Sequence, residues 1–597
     1  MTLHIVDILI IIGYMVSVVL VGVWVSKRAG KNINSYFLGE NSIPYYLLGV
    51  ANATGMFDVS GTMWMVTLLV LYGVKSIWIP WLWPCFNQIF LMVYLSAWLR
   101  RSGVMTGAEW IEIRFGRNMG TRLSHISVVI FALISVIGFQ AYAFKGIGKF
   151  MEPLLPWDWT PNTYALVIMG ITTVYTIAGG MYSVVITDLI QFVIMTLSGI
   201  FVAWIAMTQV SPEQLSAAVP AGWHNLFFGW KLDMDWTGLL TAGNSQILKD
   251  GYELFGIFFM LMLFKGLLAS LAGPAPNYDM QRILSTRNPR EASLMSWFTN
   301  VALFLPRYLL IGGIGVLGIV FFREQLNTMG DKVDFEQIMP LVLNKYMPVG
   351  VLGVMLAGLL SAFMSTFNCT LNAGASYIVR DIYQRYINPK AAPRSLILLS
   401  YASSILIVIV GILFGYMTDS INSILQWIVA GLYGGYIAPN VLKWHWWRFN
   451  GYGYFAGMVG GMAGSLVMPK FFPDMQQMYA FLVIFVLSSL VSVVVSLMTR
   501  PEEMGILKEF YKRTRPWGFW GPVCEQVLAE DPNFCPNRAF GRDMVNVAVG
   551  IVWQVSMCAI PIYLIIRQWN GFWISMGVLA VTSLFLKWNW YQKLDQD

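Results

Sequence analysis

Asp58 is a carboxylate in a stretch otherwise suited to an apolar environment, ANATGMFDVSGTMWMV at 51–66, with Gly55 and Gly61 on either side. A charge at the centre of a membrane helix costs about 2.5 to 3.5 kcal/mol on insertion scales, so it is retained with a cation partner or water. A sodium ion held by unwound backbone beside it is such a partner. A second polar group, SAFMSTFNCTLN at 361–372, places Ser361, Ser365, Thr366, Asn368, Cys369 and Asn372 close together at helical spacing. The adjacent hydroxyls of Ser365 and Thr366, with free carbonyls nearby, supply the hard oxygens that sodium takes. The same hydroxyls also suit bonds to their own backbone or to a neighbouring helix. Other chemistry is poorly provided for. The four histidines are not paired at helical spacing, and the five cysteines, at 85, 369, 524, 535 and 558, show no metal-type spacing. There is no phosphate-binding glycine loop and no nucleophile with a base, so an enzyme is not expected.

The elements that hold these groups follow from composition. With 597 residues, 57% hydrophobic and 12% charged, the chain reads as an all-α polytopic membrane protein. Runs of about twenty apolar residues predict helices near 5–25, 46–72, 78–99, 123–149, 161–182, 184–208, 254–279, 293–322, 349–379, 395–417, 421–442, 454–472, 477–498, 543–566 and 571–588. The first, with no basic start and no small-residue cleavage site, is expected to be retained. With the N-terminus outside, 26 of the 38 basic residues fall in inner loops and ten in outer ones, which predicts an outer N-terminus and a cytoplasmic C-terminus. The net charge of +7 reflects this inward bias, and no nucleic-acid partner is implied.

Two helices are expected to be broken. The second carries Gly49, Gly55, Asp58, Ser60 and Gly61 mid-span, and the seventh carries Gly273, Pro274 and Pro276 within SLAGPAPNYDMQR. Proline removes a backbone donor and glycine lets the chain unwind; the freed groups are tolerated at bilayer depth where they line a cavity or hold an ion. Each break opens a set of five helices, the pattern of an inverted-repeat transporter with its site near the midplane. The expected organisation is an N-terminal helix and loop (1–45), a first repeat (46–209), an external loop (210–253), a second repeat (254–450), accessory helices (451–499), a cytoplasmic segment (500–542) and two C-terminal helices (543–597).

SYFLGENSIP at 35–44, FDVSG in the second helix, AGGMYSVVITDLIQ around Asp188, MQR at 280–282, MSTFNCTLN at 364–372 and WWRFN from 446 together resemble the sodium/solute symporters, the family of sodium/proline, sodium/galactose and sodium/glucose transporters. The resemblance covers roughly residues 1 to 500. It implies a LeuT-type 5+5 inverted repeat with extra terminal helices, about fifteen spans in all. It also implies a sodium site from the carbonyls of Met56, Val59 and Ala362 and the hydroxyls of Ser365 and Thr366. Asp58 would polarise that site and Asp188 would line the inward sodium exit. A second ion, which some members hold with the Asp188 position and two further serines, meets Asn368 and Cys369 here.

For the solute, Gln426 matches a sugar-contacting glutamine of the sugar branch, whereas Leu82, Ala269 and Leu303 stand at its other contact positions and Ala272 replaces its aromatic inner gate. Trp81, Trp83, Gln140, Asn277, Lys265 and Arg307 remain as pocket candidates, with Arg307 placed to meet a substrate carboxylate or to pair within the protein. The expected function is sodium-coupled import of a small polar solute, sugar-like first, by alternating access in a cell membrane, with a bacterial inner membrane favoured. An amino-acid or organic-anion symporter, or an uncoupled sensor or uniporter, is the alternative. Sodium is the coupling ion, and the partners are the solute and the bilayer. The basic amphipathic part of 500–543, with Phe510, Tyr511, Trp517 and Trp520, is expected on the inner membrane surface.

Overall fold

The computed structural model describes residues 3–29, 41–82, 87–104, 106–155, 157–227, 229–274, 278–330, 333–418, 421, 433–472, 475 and 477–594. Among them the chain is helical throughout, its β-structure limited to an isolated bridge between Trp446 and Phe519. Nine of these helices are long and apolar enough to cross a membrane. The second expected span is divided at Phe57 and Asp58, and other expected spans, 421–442 among them, lie partly outside the described residues.

The first break falls at Phe57 and Asp58. One half-helix is Tyr45–Met56 and the next, Val59–Tyr72, starts with Asp58 as its N-cap, the carboxylate accepting from Gly61 N at 2.9 Å. The second break lies between Phe255–Leu271 and Tyr278–Leu284. There Gly273 takes φ +87°, a left-handed conformation open to glycine, and Tyr436 donates to the freed Pro274 carbonyl at 3.2 Å. The breaks therefore sit where glycine, proline and a capping carboxylate interrupt the apolar runs.

One expected span is corrected. The run at 78–99 is not one α-helix: a 3-10 turn Gly73–Leu82 containing Pro80 precedes Asn87–Phe90, a π turn Leu91–Leu95 and Ser96–Ser102. Proline cannot donate to the helical ladder, and the π turn absorbs the mismatch. The expected pair 161–182 and 184–208 lies within the helical run Pro161–Gln209. Both of its ends lie at one end of the bundle. A methyl at Gly148 would press on Pro161 O, Lys149 pairs with Asp334 and Glu336, and nearby Arg323 bonds Ala217 O. The run therefore goes out and returns, filling the place of two crossings.

That same end is covered by the 210–253 loop. Trp223 Nε1 donates to Val70 O at 3.1 Å, Trp236 Nε1 to Leu71 O at 3.1 Å and Tyr72 to Asp250 at 2.8 Å, which pins the loop to the tip of the first broken helix.

At the opposite end the 500–542 segment departs from expectation. Phe510, Tyr511, Trp517 and Trp520 are buried against protein. Their centre is Arg114, fully buried, which donates to the carbonyls of Lys443, Trp446, Trp447 and Phe449 and lies 5.4 Å from the Phe510 ring and 4.8 Å from that of Trp520. The amphipathic pattern faces a protein surface, and the aromatic face finds a cation there.

Candidate functional site

The helix Val351–Ser376 packs across the first break, and Thr366 joins the two. Its hydroxyl reaches Gly55 O at 2.7 Å and Ala362 O, one turn back, at 3.1 Å. Met56 follows Gly55, and Val59 starts the next half-helix. The structure thus sets Ala362, Ser365 and Thr366 of one helix against the end of the first half-helix, next to Met56, with Val59 opening the half-helix beyond the break. Ser365 Oγ is buried beside the Asp188 carboxylate and the Cys369 thiol.

Asp188 adjoins this crossing. Its backbone carbonyl accepts from Thr54 of the first half-helix at 3.3 Å, and its carboxylate lies beside the Ser365 hydroxyl. The other oxygen, Oδ2, accepts from Arg282 at 3.3 Å. Arg282 lies four residues into the short helix that follows the second break. It is wholly buried and also donates to Asn52 Oδ1 at 3.2 Å and to Cys369 Sγ at 3.0 Å. A methyl at Gly55 would lie 2.7 Å from this guanidinium. The two broken helices therefore meet through Arg282, which fills the space bounded by Asp188 and Cys369. Thr176 donates to Asn368 Oδ1, so that amide too is engaged. Sequence reasoning quoted MQR without giving its arginine a place. The available signal was a cation just beyond a helix break, where a carboxylate must lie close.

On the other side of the break the Asp58 carboxylate is saturated. Besides Gly61 N it accepts from Tyr142 at 2.7 Å and from Arg307 at 3.4 Å. Arg307 follows Pro306 inside Pro289–Thr328 and is buried, its Cζ 6.0 Å from the Phe57 ring. Gly61 is needed for this packing, since a methyl there would approach Asp58, Arg307 and Tyr142 within 2.8 Å. Tyr142 was not anticipated from sequence, because it is 84 residues from its partner.

The remaining pocket candidates are dispersed. Gln140 is buried, and neither of its amide atoms has a partner among the described residues. Lys265 is buried with its Nζ 4.8 Å from the Phe481 ring. Trp81 lies within the Gly73–Leu82 turn, and its side chain lies outside the described residues, as do Trp83, Asn277 and Gln426. Leu303, Ala269 and Ala272 are buried apolar groups.

Residues 36–461 match the family model for the sodium:solute symporter family. The chain is 25% identical to sodium/glucose cotransporter 4 of Danio rerio, over 89% of this chain and 84% of that one. It is also 25% identical to the sodium/glucose cotransporter of Vibrio parahaemolyticus, over 80% and 88% respectively. The osmoregulated proline transporter of Bacillus subtilis (strain 168) is 22% identical, over 85% of this chain and all of that one. In fold, the chain is similar to a sodium-coupled sialic acid symporter solved in a substrate-bound outward-open state, with TM-score 0.67 and 17% identity, covering 84% of this chain and 99% of the other. Broken helices in matching places, a hydroxyl pair at their crossing and a family match across both repeats lead to one conclusion: the chain belongs to the sodium:solute symporter family.

Proposed function

We propose that this symporter imports a neutral, sugar-like solute with one sodium ion. The sodium is held by the carbonyls of Met56, Val59 and Ala362 and the hydroxyls of Ser365 and Thr366. The observation that carries the reading is the Thr366 bridge from Val351–Ser376 to the broken helix, with the buried Ser365 hydroxyl beside it. A single ion is favoured because Arg282 and Asn368 take up the groups from which a second site would be made. Asp58 acts through the backbone it caps, its carboxylate being committed to Tyr142 and Arg307. That pairing also supports the solute class: Arg307 is already neutralised, so a solute carboxylate would have to displace Asp58. Sodium/glucose cotransporters among the relatives agree with a sugar-like solute, and the proline transporter keeps an amino acid as the second reading.

The basic bias places the end bearing 100–122 and 500–542 in the cytoplasm of a cell membrane, and the 210–253 loop outside. Sodium enters from outside and closes the first break against Val351–Ser376; solute follows and the repeats rock. Sodium then leaves past Asp188 as Arg282 returns to it. One sodium ion crossing 100 mV gains about 2.3 kcal/mol, and a tenfold gradient adds about 1.4. The sum, about 3.7 kcal/mol, sustains a several-hundred-fold accumulation of a neutral solute.

The test is uptake into proteoliposomes under an imposed sodium gradient, screened over sugars, polyols, amino acids and sugar acids. A sugar should accumulate with sodium and not with potassium or choline. Ser365→Ala and Thr366→Val should each raise the half-saturating sodium concentration about tenfold, the loss of roughly 1.4 kcal/mol expected for one ligand oxygen. Equal uptake in sodium and choline would overturn the coupling, and accumulation of a carboxylated solute alone would overturn the solute class.

A further inference from the structure

A second cavity lies at the basic end of the bundle, apart from the sodium crossing. It is bounded by the π turn Leu91–Leu95, the helix after it, the start of Pro289–Thr328, the end of the 500–542 segment and the last turn of the chain. Four lining residues are cations, Arg101, Arg290, Arg542 and Lys593, and one is a carboxylate, Asp543. Among the described residues that line it, four positive charges thus face one negative. Asp543 is already engaged, by Trp517 Nε1 at 3.0 Å and Arg542 Nε at 3.5 Å. The cations also have neutral neighbours: Arg290 lies over the Tyr591 ring at 5.8 Å, and Lys593 donates to Asn589 at 3.0 Å.

Two further groups in the lining point to a ligand. Ser293 Oγ and Tyr94 Oη belong to residues 0% and 3% exposed, and neither atom has a hydrogen-bond partner among the described residues. Buried hydroxyls left open are costly, and here two of them sit among guanidinium groups that come from separate elements. An anion with several acceptor oxygens satisfies both kinds of group at once. A tetrahedral phosphate does so from several directions, whereas a planar carboxylate meets one guanidinium fork. Trp588 and Tyr591, exposed on the helix end beside the cavity, have the amphipathic rings that settle at headgroup level. Basic pockets between membrane helices on the cytoplasmic side take phospholipid headgroups.

We propose that this cavity binds a phosphate group, which fastens the 500–542 segment and the C-terminal helices to the transport bundle. The source is an anionic phospholipid headgroup or free phosphate, and only the lipid source rests on the membrane orientation proposed above. The experiment is thermal unfolding of the full chain, delipidated in detergent. Additions at matched ionic strength are dihexanoyl phosphatidylglycerol, dihexanoyl phosphatidylcholine and inorganic phosphate. Phosphatidylglycerol or inorganic phosphate should raise the wild-type midpoint by about 3 °C or more. Arg290→Gln, Arg542→Gln and Ser293→Val should each weaken the response about tenfold. A response to phosphatidylglycerol alone assigns the lipid, and an equal response to inorganic phosphate assigns the soluble anion. Equal stabilisation by phosphatidylcholine, no response to any anion, or an undiminished response in the variants overturns the proposal. Arg542 is 39% exposed along its side chain, so Arg542→Gln keeps the test open if the other variants fail to fold. Sodium-dependent stabilisation of the same wild-type preparation is read alongside, so that failure of the transport reading is distinguished from failure of the phosphate site.

Discussion

Arg282 and Asp188 are both fully buried, 94 residues apart in sequence and 3.3 Å apart in space. Removing one member of such a pair leaves an uncompensated charge, which costs about 3 to 5 kcal/mol, whereas removing both charges costs far less. Arg282→Gln should therefore lower the thermal midpoint sharply, and Arg282→Gln combined with Asp188→Asn should restore most of it. If the double variant unfolds no later than Arg282→Gln alone, the pair is not the source of the effect. Coupling supplies a second readout: with Arg282 gone, the space beside Asp188 is freed, and the apparent sodium affinity should rise. Little of this was legible beforehand. Asp58, Ser365 and Thr366 stood out because polar groups in apolar helices are costly wherever they fall. Which cation answers which carboxylate is decided by how distant segments cross, so Arg307 carried no named partner in the protein and Arg282 no role until the fold joined them to Asp58 and Asp188.

Local backbone chemistry made the helix breaks readable, since Gly273, Pro274 and the capping Asp58 act within a few residues of themselves. The two crossings expected at 161–182 and 184–208 are met by the out-and-back run Pro161–Gln209, whose return is held by contacts at both ends. Loop elements also depend on such contacts. The short helix Gly243–Asp250 ends on a carboxylate that accepts from Tyr72 at 2.8 Å and Gln246 at 3.0 Å. Burial pushes the Asp250 carboxyl up to about 6, against the downward pull of those two hydrogen bonds. The unfolded carboxyl titrates near 3.9, so between about pH 4 and 6 the folded chain holds more protons than the unfolded one. Asp250 therefore contributes stability below that window that is lost as pH rises through it. The loss is at most about 2 kcal/mol for a half-buried group. The midpoint of the wild type should fall relative to Asp250→Asn from pH 4 to 6.5. Parallel profiles for the two proteins would mean that this carboxyl does not couple the loop to pH.

Across the whole molecule, the 500–542 segment joins parts that sequence places far apart. Trp517 packs against Tyr94 and Trp98 with ring centroids 4.8 and 5.2 Å away, and Trp520 Nε1 donates to Trp444 O at 3.0 Å. Trp98 lies at the end of the first repeat's second span and Trp444 at the end of the second repeat, so one segment spans both halves. An amphipathic pattern cannot distinguish a lipid surface from a protein surface, since either accepts an apolar face with a basic rim. The docked arrangement differs from a membrane-lying one in its dependence on Arg114, whose guanidinium gathers four carbonyls and two rings of the interface. Arg114→Leu leaves those carbonyls without their buried donor, a loss of about 3 kcal/mol or more. The segment should then detach before the bundle unfolds. Limited trypsin digestion reads this directly, with cleavage after Lys512 or Arg513 slow in the wild type and fast in Arg114→Leu, while the transmembrane core stays intact. Rapid cleavage of the wild type at the same sites would mean that the segment is loose in solution and that Arg114 serves only the helix Gly107–Phe115. Protection of both proteins would mean that the aromatic contacts hold the segment without the cation.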